Sequence, residues 1–156
     1  MKRIIYSLFL TIVMVSFSSC LTSGLEDLPE YEEADITSVS AVTYRYISDD
    51  ISPASGQNIV KNVNMTYTSE IDPVAATVKI SITTPDNFPK EELANLSTKS
   101  NLVVVVSLST AARLYPIEGS VELGVPGDWS KPNTYMVEAA NGTKKNWTIE
   151  IVSLKK

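Results

Sequence analysis

The chain has 156 residues, 44% of them hydrophobic, enough for one globular domain with flanking segments. It contains no histidine and a single cysteine, which excludes Ser-His and Cys-His nucleophile pairs and zinc sites built on imidazole or thiolate. The formal net charge of −5 shows no excess of positive charge of the kind that phosphate backbones attract, so nucleic acid is not an expected partner.

Lys2 and Arg3 open the chain, and an apolar run over residues 4–17 follows, softened by Ser7, Thr11 and Ser16. That run falls short of the roughly 20 apolar residues that span a bilayer. Together with the small residues Ser18 and Ser19 it reads as a cleaved signal peptide over residues 1–19. The cysteine stands directly after it, at Cys20. "FSSC" resembles the bacterial lipobox, with Phe17 in place of the usual leucine, and the resemblance implies that Cys20 is lipidated and becomes the mature N-terminus. Several acyl chains on one residue give stable membrane anchoring where a single chain would not. The expected location is the outer membrane, with the periplasmic and exterior faces both open.

Residues 20–35 contain Glu26, Asp27, Glu30, Glu32, Glu33 and Asp35 and no basic residue, the composition of an extended, self-repelling tether. Loss of the signal takes the net charge from −5 to −7, and six of those negative charges lie in the tether. Residues 36–156 therefore carry only −1 and form the expected domain.

Within the domain the apolar period is two. Val63, Met65 and Tyr67 alternate with polar residues, as do Val78, Ile80 and Ile82, and Trp147, Ile149 and Ile151; Tyr135, Val137 and Ala139 alternate with Met136 and Glu138. Such alternation marks strands with one buried face. The continuous apolar run over residues 102–109 predicts a central strand covered on both sides, and weaker strands are expected over 39–47 and 114–123. "SPASG", "TPDNFP", "YPIEG" and "VPGD" punctuate these runs as turns, and Asn141-Gly142 predicts a hairpin with Lys144 and Lys145 at its exposed tip. Residues 89–97 predict a turn or two of helix. About seven short strands imply an all-β antiparallel sandwich.

The second half carries a more specific pattern: Ser109, Ala112, Pro116 and Gly119; then Asp128, Trp129, Ser130, Pro132 and Tyr135; then Gly142, Trp147, Ile149 and Ile151. This resembles the Ig-like or cadherin-like modules of Bacteroidetes lipoproteins close to the domain of unknown function 5018. The resemblance implies an Ig-like sandwich, export and a phylum, and it implies no activity. In that pattern the position of Trp129 is generally aromatic and closes the end of the core, while Trp147 heads a strand face. The competing reading makes Trp129, with Tyr115 or Tyr31, an aromatic platform for a glycan.

Other chemistry is sparse. Glu138 and Glu150 occupy outward positions of the last hairpin, where a carboxylate pair within reach would be the one route to a glycosidase. Asp49 and Asp50 before "SPASG" are the candidate calcium ligands, although no spaced ligand loop is present. The expectation is a non-enzymatic, lipid-anchored envelope module without a cofactor, recognising a glycan or glycoprotein. The alternative is an accessory subunit of a surface assembly that presents an apolar strip through Met136 and Val152.

Overall fold

A computed structural model describes residues 30–156. The signal segment, Cys20 and the first part of the acidic stretch lie outside the described residues. Eight strands follow: β1 (Ile36–Ile51), β2 (Asn58–Asn64), β3 (Thr66–Asp72), β4 (Thr77–Thr83), β5 (Leu102–Leu108), β6 (Arg113–Ile117), β7 (Asn133–Glu138) and β8 (Lys144–Lys155). A 3-10 turn, Lys90–Glu92, leads into the short helix α1 (Leu93–Ser97) on the crossover from β4 to β5. The strands form two sheets, ordered β2-β1-β5 and β3-β4-β8-β7-β6, so the fold is the expected all-β sandwich. One pairing, β4 with β8, is parallel.

Alternation explains the core. Val78, Ile80 and Ile82 of β4, Tyr135 and Val137 of β7, and Trp147, Ile149 and Ile151 of β8 all turn to the inner face and are buried. From the small sheet, Ile36, Val39, Val42 and Tyr44 of β1 meet them. Each large aliphatic side chain so buried contributes about 1.5–3 kcal/mol. Two β-bulges let β1 follow the curvature, since its register against β5 shifts between Ile36 and Ser38 and again between Val39 and Ala41.

Three features depart from the periodicity. The alternation over Val63, Met65 and Tyr67 does not belong to one strand. The chain leaves β2 in one sheet and enters β3 in the other, and buried Met65 marks the crossing, its N–H donating to the Val42 carbonyl at 2.8 Å. The apolar run 102–109 is not a central strand: β5 pairs with β1 alone and forms a sheet edge, with Val105 45% exposed. Its hydrophobicity comes from packing on one face and beneath a loop. That loop is the third departure, because the strand there, Arg113–Ile117, ends at Ile117 and the rest of the expected 114–123 strand is not in a sheet.

The last hairpin turns where Asn141-Gly142 predicts. Glu138 pairs with Lys144, the Ala139 N–H donates to the Thr143 carbonyl at 2.8 Å, and Gly142 takes the left-handed φ of 84° that the turn requires. Lys144 is exposed at the tip, 3.4 Å from Glu138. Lys145 instead folds back over Trp147, 5.1 Å from the ring centroid, and meets Asp35 at 2.6 Å.

Lys145 thereby helps fasten the end of the acidic stretch, which docks earlier than its charge suggests. The Trp147 indole N–H donates to the Ala34 carbonyl at 3.0 Å, the Asp35 N–H to Ser109 Oγ at 3.1 Å, and the Asn141 N–H to the Tyr31 carbonyl at 3.2 Å. Ala34 is buried. Most of this contact runs through the backbone groups of Tyr31, Ala34 and Asp35, and only Asp35 contributes its charge, to Lys145, so the acidic composition did not predict it.

Candidate functional site

Trp129 is 2% exposed and stacks on Tyr135 with ring centroids 6.4 Å apart. Its indole N–H donates to the Leu102 carbonyl at 3.0 Å, and the same carbonyl accepts the Gly127 N–H at 3.1 Å. A buried indole needs such a partner, and here the partner is the open edge of β5. Loop residues 118–132 are stapled over that edge. Tyr135 donates its hydroxyl to the Val121 carbonyl at 2.9 Å, and buried Asn133 receives the Val121 N–H at 3.0 Å while donating to the carbonyls of Asp128 and Lys131. Gly127 passes so close that an added Cβ would lie 2.4 Å from Val121 Cγ1. Burial, with the charge of Glu122 adding to it, pushes the Tyr135 hydroxyl up to about 12.

The platform reading of Trp129 with Tyr115 is therefore corrected. Tyr115 lies opposite Met136, on the face of β7 away from Tyr135, whereas Trp129 stacks on Tyr135 in the interior. The two rings lie on different sides of one sheet. Tyr31 is exposed, at the opposite end of β1 from α1 and beside the Gly142 turn.

The other expected groupings also separate. Glu138 sits opposite Lys144, and Glu150 lies six residues further along β8, opposite Lys79 in β4. At about 3.3 Å per residue that is roughly 20 Å, far beyond the spacing of a glycosidase pair. Met136, opposite Asn146, is just as far from Val152, so these two do not make one strip. Asp50 is engaged by the Lys61 ammonium, whose hydrogen bond and charge hold its carboxyl below the usual range. No group of three or more metal-ligating side chains occurs among the described residues.

What sequence reasoning missed is a groove at the upper end of the small sheet. β1 pairs with β5 only as far as Tyr44 opposite Leu102, then continues to Ile51 with β2 as its one strand partner among the described residues. The Arg45 N–H still finds the Asn101 carbonyl at 2.9 Å. In an antiparallel ladder alternate residues direct both backbone groups to the same side, so Ile47, two residues after Arg45, turns its own to the side that β5 has vacated; beyond it the register against β2 is broken between Ile47 and Ile51. A groove of about 470 Å³ opens there, lined by Arg45, Tyr46, Ile47, Val60, Glu92, Asn95, Asn101 and Pro126.

The walls of this groove are held by their own polar contacts. Glu92 Oε2 accepts the Tyr44 hydroxyl at 2.7 Å and Asn95 Nδ2 at 2.9 Å. Arg45 donates to Asn62 Oδ1 at 2.9 Å and to the Gly124 carbonyl at 3.3 Å. Tyr44 is buried between Tyr46 and Phe88, with ring centroids 6.0 and 5.2 Å away, and burial followed by the Glu92 contact pushes its hydroxyl up to about 12. Apolar surface is what remains open: Ile47 and its cross-strand partner Val60 are 70% and 55% exposed. The signal for this in the sequence was faint, an isolated Ile and Val in strands otherwise polar on that face.

The model of the DUF5018-related family matches residues 36–150. Among solved structures, the chain is similar to a "putative secreted protein" of Bacteroides fragilis NCTC 9343, at 41% identity over 82% of this chain and 100% of that one, with a TM-score of 0.66. No curated protein matches the chain.

Proposed function

The chain belongs to the DUF5018-related family, and from that premise we propose that it is an exported, lipid-anchored and non-catalytic recognition module of the cell envelope. The likeness to a "putative secreted protein" supports export, and the basic, apolar and small-residue succession ending at Cys20 supports lipid anchoring at the outer membrane. The observation that carries recognition is the groove beside Ile47 and Val60, an apolar opening on a surface whose neighbouring polar groups are already paired. A glycan site needs free, convergent hydrogen-bonding groups. Here the Glu92 side chain is bound to Tyr44 and Asn95 and that of Arg45 to Asn62 and the Gly124 carbonyl, so polar side chains do not converge on the opening. The occupant that suits the groove is a protein of the envelope.

Two experiments test this reading. Palmitate labelling of cells should mark the wild type and not Cys20→Ala, and a wild type without label would remove the anchor. Purified domain should bind isolated envelope fractions, lose that binding on Val60→Glu, and lose it when the fractions are treated with protease but not with periodate. Periodate-sensitive binding, or a hit on a glycan array, would return the glycan to first place. Unchanged binding by Val60→Glu would remove the groove.

A further inference from the structure

The groove has a property that a simple apolar pocket lacks: its floor is the unpaired edge of a strand. Ile47 presents its N–H and C=O where β5 has ended, while β2 pairs with the other edge of β1 as far as Val60 opposite Ile47. An open strand edge is a template for another strand, and extended peptides use such edges for main-chain hydrogen bonds while side-chain pockets choose the sequence.

We propose that the groove takes an extended polypeptide strand from a partner protein, added to β1 alongside Ile47; this rests on the groove being the recognition site. The two walls specify the strand. Side chains on one of its faces would meet Ile47, Val60 and Pro126, and those on the other would meet Tyr46 and α1, which calls for aliphatic residues at alternate positions. Charge selects the flanks. Asp49, Asp50, Glu91 and Glu92 stand around the groove against Arg45, Lys61 and Lys90, four negative charges to three positive, and Lys61 is paired with Asp50. The surroundings are net negative by one, so the fitting strand is apolar in the middle and basic at its ends.

The probe is the synthetic peptide Lys-Val-Thr-Val-Thr-Val-Lys, with two twins carrying backbone N-methyl groups either on the valines or on the threonines. Only one edge of an added strand faces β1, so one twin should lose at least tenfold in affinity while the other binds like the parent. Ile47→Pro should weaken the parent peptide by a similar factor with the fold intact, because the Ile47 N–H points into the groove and away from β2. Replacing the terminal lysines by glutamates should weaken binding further, and most at low salt.

Failure of the parent to bind, equal binding by both twins, or an Ile47→Pro protein that binds like wild type would each overturn strand addition. A wild type that sediments as a dimer while Ile47→Pro sediments as a monomer would overturn it too, by assigning the edge to a second copy. The broader recognition reading stands or falls separately, on whether Val60→Glu loses the envelope fractions.

Discussion

Two sheet edges in this domain begin alike and end differently. β5 and the upper half of β1 each leave backbone groups without a neighbouring strand. Over β5 the chain lays residues 118–132, with Trp129 and Gly127 sharing one carbonyl and Asn133 tying the loop to itself. Beside Ile47 of β1 no strand or loop among the described residues closes the edge, and the aliphatics Ile47 and Val60 stay exposed there. A protein that covers one edge at the expense of a glycine, a buried asparagine and a tryptophan has the means to cover the other. The contrast separates surface closed for stability from surface left open, and each prediction below strains one side of it.

The closed side should fail first. Trp129→Ala should cost about 3–5 kcal/mol, the range for losing a buried large aromatic, because it leaves a cavity and removes one of the two hydrogen bonds to the Leu102 carbonyl. Trp147→Ala should cost a similar amount and release residues 31–35, whose Ala34 carbonyl the indole holds. Thermal and denaturant unfolding measure both, and limited proteolysis should show a new cut near Tyr31 only in the second. A Trp129→Ala protein that melts like wild type would mean that the loop is not a seal.

Alkali tests both regions at once. Tyr135 in the closed region and Tyr44 under the open groove each titrate at about 12 when folded, against about 10 when unfolded. Between those values the unfolded chain gives up protons that the folded chain keeps. Stability is therefore whole below about pH 10 and falls as pH rises toward 12, by about 2–3 kcal/mol for each tyrosine. Tyr135→Phe and Tyr44→Phe should each flatten the decline by about half when stability is followed against pH. A decline unchanged in both would assign it to other groups.

The architecture of the domain was legible because burial acts on one residue at a time. Alternation exposed the inner faces of β4, β7 and β8, and Asn141-Gly142 placed the last turn. Edges were not legible, because whether a strand has one neighbour or two depends on distant chain. The run from Leu102 to Leu108 looks central and is an edge, and Met65 looks like mid-strand and is the step between sheets. The groove was hidden for the same reason. It arises where β5 stops short of the end of β1, a difference in strand length that no local pattern encodes. Asn133 was equally silent, one asparagine in a Pro-rich turn whose burial is decided by the loop that closes over it.

That asparagine gives the next prediction. Asn133→Ala leaves the Val121 N–H and two carbonyls without their partner in a partly buried turn, which should cost about 1–3 kcal/mol. Hydrogen exchange should show the loss as faster opening of residues 118–132, with β4 and β8 unchanged. Uniformly faster exchange would mean that the loop and the core unfold as one unit.

The smallest effect is expected on the open side, and it is the one that gives the comparison its meaning. Val60 is 55% exposed and touches the groove rather than the core. Val60→Glu gives up some strand propensity and a cross-strand contact with Ile47, itself 70% exposed. Its effect on unfolding free energy should stay within about 0.5 kcal/mol, as for surface substitutions away from the core, while envelope binding is lost. Stability and binding would then separate completely between two positions, Trp129 and Val60, that differ in whether a loop covers the neighbouring edge. A Val60→Glu protein destabilised as much as Asn133→Ala would show instead that the aliphatics around Ile47 are part of the fold, and the edge of β1 would be open for no functional reason.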